Sequence, residues 1–226
     1  MRKAFRSASG ERADVLRDVA FTLAHGEVGA FVGPSGCGKT TMLRILAGLD
    51  ADFEGTVARP SGAIGMVFQE PRLLPWRTVE ENIRLIAPAI EPTTLASLFD
   101  TLGLAAHRAH FPGELSLGLA RRVALARAFA VEPHLLMLDE PFTSLDQPLA
   151  ARLRDELALL VDRRPVTTLL VTHDLDEAVR LADRLFLLSA RPARIVATMP
   201  IGQPRGVRSA DDIAALKASI ARQQRP

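Results

Sequence analysis

The sequence predicts an α/β protein built on a largely parallel sheet, and three observations predict it. Short apolar runs alternate with helically spaced segments through most of the 226 residues. The glycine-rich loop Gly33-Pro34-Ser35-Gly36-Cys37-Gly38-Lys39-Thr40 stands where one such run gives way to a helix. The run Leu135-Leu136-Met137-Leu138 ends in Asp139 and Glu140, and strand tips in open α/β sheets face the ligand crevice.

Taken in order, Val15 to Leu23 and Gly55 to Val67 read as edge or antiparallel strands around the loop, and Val28 to Val32 as a buried strand. Thr41 to Leu49 carries Met42, Leu43, Ile45, Leu46 and Leu49 at helical spacing. A helical region follows. Thr78-Val79-Glu80-Glu81 is a capping box opening Val79 to Ile86, Thr93 to Leu102 is a second helix, and Ser116 caps a third that runs through Ala130. Beyond the strand Leu135 to Leu138 come a helix from Leu149 to Val161 and a strand from Val166 to Thr172. A helix from Leu175 to Ala182 and strands near Leu185 to Leu188 and Ile195 to Thr198 complete the alternation. Ala210 to Arg222 is a terminal helix set off by the Pro- and Gly-containing stretch Pro200 to Gly206.

Composition narrows the function classes. At 48% hydrophobic residues the chain can bury a full core, and one domain over residues 1–226 is the simplest division. Within it a helical subdomain spans about 72–130, and a short tail about 200–226. The formal charge is only +2, and no basic block or aromatic-interleaved basic stripe appears, so no nucleic-acid partner is expected. Cys37 is the single cysteine, which rules out an internal disulfide and a cysteine-based metal site and fits a reducing compartment. Arg2, Lys3 and Arg6 are followed by no apolar leader core, and no uncharged apolar run approaches the ~18 residues needed to span a bilayer. A cytoplasmic protein is expected, with any membrane role coming through a partner.

The loop fits G-x-x-x-x-G-K-[ST], the pattern of a triphosphate cradle. Glycines let backbone N–H groups turn inward around phosphate oxygens, the helix dipole favours negative charge, and Lys39 adds an ammonium for the β and γ phosphates. Lys3, Lys39 and Lys217 are the only lysines amid many arginines, so composition alone would have placed arginine in the loop. ATP contacts are expected from Gly33, Pro34, Ser35, Gly36, Cys37, Gly38, Lys39, Thr40 and Thr41, with the Thr40 hydroxyl on Mg²⁺. Asp139 can position that ion through its water shell, while Glu140 can polarise the water attacking the γ-phosphate. Acidic residues end many strands, so the pair acquires this meaning only from the loop upstream.

The ordered set Gly33 to Thr40, Gln69, Leu115-Ser116-Leu117-Gly118, Asp139-Glu140, Ser144-Leu145-Asp146 and His173 resembles the nucleotide-binding subunit of an ABC transporter, from about residue 15 to 198. The resemblance implies a P-loop NTPase (ABC ATPase) core with an antiparallel β subdomain and a helical subdomain. It implies that Glu140, His173 and Gln69 serve hydrolysis, Gln69 sensing both Mg²⁺ and the membrane partner and His173 lying near the γ-phosphate. Ser116, Leu117, Gly118 and Asp146 would act across a dimer in which two chains sandwich two ATP molecules head to tail. By themselves Gln69 and His173 could simply end strands, and Ser116 could serve only as a helix cap.

The stretch Val67 to Val79, with Ser189 to Val196, resembles the nitrate, sulfonate and taurine branch of ABC importers. That implies a second ATPase subunit, in a homodimer or in a heterodimer with a chain of intact signature, transmembrane permease subunits, a solute-binding protein acting indirectly, and a place on the cytoplasmic face of the inner membrane. Leu73, Leu74 and Trp76 then either line a groove for a permease helix or fill the core. Two departures stand out. Leu117 and Leu119 replace the family's usual glycine and amide or methionine, and Ala120-Arg121 replaces a common Arg-Gln pair, so reduced but not absent turnover is expected. The family stacks an aromatic on adenine. With no tyrosine, only Phe5 lies near enough, either for stacking or as an anchor of the N-terminal strand. Cys37, inside the loop, is expected to block nucleotide binding when alkylated, unless it is buried and inert. Rival readings are a soluble P-loop phosphotransferase, which needs an acceptor pocket and arginine-bearing lid, and an ABC-type ATPase with a nucleic-acid or regulatory role.

Overall fold

A computed structural model of the chain describes residues 1–6, 12–164 and 166–223. In chain order the elements are β1 (Lys3–Arg6), β2 (Arg12–Leu16), β3 (Val28–Val32), α1 (Lys39–Leu46), β4 (Ile64–Val67), α2 (Val79–Arg84), α3 (Pro92–Thr101) and α4 (Leu117–Ala130). There follow β5 (Leu135–Asp139), α5 (Gln147–Arg163), β6 (Thr167–Thr172), α6 (Leu175–Leu181), β7 (Arg184–Leu188), β8 (Ile195–Pro200) and α7 (Ala210–Gln223). They fall into two compact units, Met1–Pro60 with Thr167–Pro226, and Ser61–Val166.

In the first unit the strand order is β6-β3-β7-β8. β3 runs parallel to both β6 and β7, and β8 closes the edge antiparallel to β7, so the sheet is mixed. All five residues of β3 are buried, as a central parallel strand covered on both faces requires. Phe21, Phe31 and Phe186 form its aromatic core, with the Phe31 and Phe186 rings stacked at 4.6 Å. α6 packs on β3 and β6 and carries α7. β1 and β2 form a separate antiparallel pair. Their anchor is Lys3, which is buried and donates from Nζ to the carboxylate of Asp50 at 3.0 Å, to that of Asp52 at 3.1 Å, and to the Asp52 carbonyl. Desolvation works against the ammonium, and these acceptors outweigh it and raise its pKa.

The second unit holds the parallel pair β4 and β5 and the α-helices α2 to α5. α4 is its centre, packed on α2, α3, α5 and β4. That explains why the helix is small and apolar on most sides, with Val123, Ala124, Leu125, Ala126, Ala128 and Phe129 all buried. The expected capping box is present: Thr78 Oγ1 accepts from Glu81 N at 3.3 Å and Glu81 Oε2 accepts from Thr78 N at 2.8 Å.

The two segments read as edge or antiparallel strands are so in kind, β2 antiparallel to β1 and β4 at a sheet edge, but both are shorter than expected. Val15 to Leu23 is strand only as far as Leu16, because the chain turns at Asp18, whose φ is 53°. Gly55 to Val67 is strand only from Ile64, and it pairs in parallel with β5. The intervening stretch spends its Arg59 guanidinium on the carbonyls of Leu46 and Ile45, capping α1.

Candidate functional site

The glycine-rich loop joins β3 to α1, and Gly38 makes the junction possible. Its φ is +125°, and a Cβ there would lie 2.8 Å from Val15 Cγ1 and 3.2 Å from the Val15 carbonyl oxygen. Only glycine fits both constraints. Ser35, Gly36 and Thr40 are exposed, Gly33 and Thr41 half-buried. Lys39 is 4% exposed and donates from Nζ to the carbonyls of Gly33 at 2.9 Å and Pro34 at 3.0 Å. The loop's own oxygens thus hold the ammonium beside the N-terminus of α1. Cys37 is turned inward, 1% exposed, so an accessible thiol is not what the loop presents. Its backbone N–H closes the turn on the Pro34 carbonyl at 3.3 Å.

Strand register brings His173 to this loop. Val32 pairs with Thr172 and the Gly33 N–H reaches the Thr172 carbonyl at 3.4 Å, so Gly33 and His173 leave neighbouring strands at the same edge. His173 is exposed. The buried Thr172 hydroxyl donates to Glu177 Oε2 at 2.6 Å and accepts from the Asp174 N–H at 2.9 Å, pinning the turn that presents the imidazole.

In the second unit the same logic aligns Gln69 with the paired carboxylates. Val67 pairs with Leu138, so Phe68-Gln69 and Asp139-Glu140 emerge together at the carboxyl ends of β4 and β5. Asp139 is 3% exposed, while Gln69 is exposed. Glu140 takes φ +45°, a strained value for a residue with a Cβ, and its Oε2 accepts from the Thr143 hydroxyl at 3.2 Å.

Ser116 caps α4, its Oγ accepting from Leu119 N at 3.3 Å, and Asp146 caps α5, its Oδ1 accepting from Leu149 N at 2.8 Å. Capping uses the serine oxygen as acceptor and leaves its O–H as a donor. Leu117 is 44% exposed, so its bulk stands on the surface rather than in the core. Gly118 is buried against α5, where an added Cβ would meet Leu149 Cδ2 at 2.5 Å. The expected phosphate contact of Gly118 is therefore joined by a packing requirement that the sequence did not reveal.

The segment after Gln69 is held from two sides. Arg127 donates to the Pro71 and Arg72 carbonyls, both at 2.8 Å, and buried Asn82 accepts from Leu74 N while donating to the carbonyls of Leu74, Arg77 and Thr78. These ties leave Leu73 and Leu74 half-buried and Trp76 70% exposed, which removes the core reading of Trp76. Phe5 is 45% exposed, with Lys3 Nζ 4.8 Å from its ring centroid, and does not anchor its strand. Asn82, Arg127 and Thr143 were not singled out in the sequence, and Arg121 only as a departure from the family's usual Arg-Gln pair. Their only signal is a polar residue inside an apolar helical face or beside a carboxylate.

Among the described residues no group of three or more His, Cys, Asp and Glu could hold a metal ion. Thr40 in the first unit and Asp139 in the second each offer a hard oxygen donor. Mg²⁺ carried in with a nucleotide takes oxygen donors of this kind beside phosphate oxygens and water. No described helix is long and apolar enough to cross a membrane.

A family model described as ABC transporter matches residues 16–143. Among curated relatives, the aliphatic sulfonates import ATP-binding protein SsuB 2 of Pseudomonas syringae pv. tomato is 44% identical over 83% of this chain and 82% of its own. SsuB of Bacillus licheniformis is 42% identical over 89% of this chain and 83% of its own. A solved structure described as the dimeric, post-hydrolysis state of the ATP-binding cassette MJ0796 bound to ADP and Pi superposes with a TM-score of 0.75. It is 26% identical, over 90% of this chain and 97% of that one.

Proposed function

Since the chain belongs to the ABC transporter family, as an ATP-binding and ATP-hydrolysing subunit that works with Mg²⁺, we propose that it powers import of a small sulfonate through a partner permease. The observation that carries this reading is the likeness to aliphatic sulfonate import ATP-binding proteins, which extends over more than four fifths of both chains.

The site roles follow from the chemistry of each group. Gly33 to Thr41 cradle the phosphates, and Lys39 exchanges the Gly33 and Pro34 carbonyls for β and γ phosphate oxygens. Thr40, Gln69 and, through water, Asp139 would hold Mg²⁺, which would neutralise charge on the transferred phosphoryl group. Glu140 takes the proton of the water whose oxygen attacks the γ-phosphorus, and ADP departs with the bridging oxygen. His173 orients the γ-phosphate, and the exposed ring of Phe5 stacks on adenine. Two copies of the chain pair head to tail, as dimerisation of the MJ0796 cassette supports. Ser116, Leu117, Gly118 and Asp146 then face the partner's nucleotide, the Ser116 O–H and Gly118 amide at a helix N-terminus suited to phosphate.

ATP closes this dimer, and hydrolysis with product release reopens it; the permease converts the difference into alternating access. The chain sits at the cytoplasmic face of the membrane by holding the permease, to which a separate solute-binding protein delivers the solute. Deleting the gene in the source organism is expected to abolish growth on an alkanesulfonate or taurine as sole sulfur source and to leave growth on sulfate intact. Unimpaired growth on sulfonates, with loss of growth on nitrate as sole nitrogen source, would overturn the sulfonate reading.

A further inference from the structure

Arg121 on α4 is 4% exposed, and Nη2 donates to the Thr143 carbonyl at 2.7 Å. Nε and Nη1 are also buried and have no hydrogen-bond partner among the described residues. A buried guanidinium left partly unsatisfied costs stability, and an apolar side chain of similar length would avoid that cost. What the arginine holds is the turn after β5. Thr143 donates its N–H to the Glu140 carbonyl at 3.3 Å and its hydroxyl to Glu140 Oε2 at 3.2 Å. Within that turn Glu140 has φ +45° and Ser144 φ +67°, two left-handed non-glycine residues within five positions. Strained backbone of this kind persists only where neighbouring bonds over-determine it.

We propose that Arg121 is a positioning residue for hydrolysis: it clamps the Thr143 carbonyl to α4, and Thr143 in turn fixes the Glu140 carboxylate in the orientation that accepts a proton from the attacking water. This rests on the reading of Glu140 as the base. The same helix carries Ser116 at its N-terminus, so the clamp ties the base to the element that faces the partner's nucleotide. An error of about 1 Å in such a group costs up to about a hundredfold in rate, so losing the clamp should reach about tenfold.

The test compares Arg121→Met, Thr143→Val, Glu140→Gln and Arg121→Met/Glu140→Gln in steady-state and single-turnover ATP hydrolysis, alongside thermal unfolding. Arg121→Met is expected to lower kcat about tenfold with KM for MgATP within twofold and a Tm at or above the parent's, a pattern that a purely structural residue would not produce. Thr143→Val, which keeps the buried arginine and its carbonyl acceptor, is expected to lower kcat several-fold, and it decides the question should Arg121→Met not fold. In the Glu140→Gln background the Arg121 change should add less than twofold, because no base remains to position. A folded Arg121→Met or Thr143→Val with parental kcat, or a full tenfold loss repeated in the Glu140→Gln background, overturns the clamp. Glu140→Gln at near-parental rate overturns the base itself, which is a separate result.

Discussion

At the scale of single residues, Leu117 and Gly118 carry opposite expectations although they are neighbours. Gly118→Ala forces a Cβ to within 2.5 Å of Leu149 Cδ2, and overpacking of this kind costs about 1–3 kcal/mol. A Tm fall of several degrees is expected, measurable by calorimetry. Leu117 projects from the first turn of α4, so Leu117→Gly should lose little stability and leave ATPase turnover equal or faster. A slower Leu117→Gly enzyme would mean that the leucine makes a favourable contact across the dimer. Cys37 has an inward thiol, and modification by a maleimide is expected to be at least about tenfold slower than that of an exposed cysteine, with or without MgATP. Mass spectrometry after timed quenching reads the difference.

At the scale of elements, helix caps and cross-helix charges decide where the second half of the first unit is secure. Asp176 on α6 bonds Arg180 at 2.6 Å on the same helix and Lys217 of α7 at 3.3 Å. Burial alone would raise its carboxyl, but the Arg180 and Lys217 partners outweigh burial and hold it below the usual range. The folded pKa is depressed, so the stabilisation is complete above the ordinary carboxylate pKa of about 4 and is lost as pH falls through the folded value. Asp176→Asn is expected to lower Tm by about 2 °C at pH 7. The gap should stay constant down to about pH 5 and narrow below about pH 4. A gap that widens in acid would reverse the assigned sign. In the second unit, Asn82 and Arg127 hold the loop that displays Trp76, which explains how a large aromatic can remain exposed on an ordered segment.

At the scale of the whole molecule, the proposed mechanism makes the dimer a consequence of nucleotide. Glu140→Gln should bind MgATP and cut turnover by at least about a hundredfold while a two-chain species accumulates. Size-exclusion chromatography with light scattering is expected to show twice the monomer mass with MgATP and the monomer with MgADP. A variant that stays monomeric at saturating MgATP would remove the head-to-tail arrangement and with it the role given to Ser116.

Local physics wrote much of this protein into its sequence. The glycine spacing around Lys39, the Thr78 capping box, the Ser116 cap and the apolar run ending in Asp139 each rest on residues within a few positions of one another. The structure keeps them all. Other properties depend on segments far apart in the chain. Parallel pairing of β4 with β5 joins residues separated by some seventy positions, and no periodicity in Gly55 to Val67 encodes the partner. Cys37 is 1% exposed, and the residues packed against its loop at Gly33 and Gly38, Leu188 and Val15, come from distant segments, which the loop's own pattern does not show. Arg121 reads only as a departure from a family pattern until the fold brings Thr143 to it. Sequence by itself determined which chemical groups are present and, outside Val15 to Leu23 and Gly55 to Val67, most of the helices and strands that carry them, because those follow from backbone hydrogen bonding and side-chain period. Only the tertiary structure decided which groups meet, which are buried and which strained turn is held, because burial and register are properties of packed neighbours rather than of neighbours in sequence.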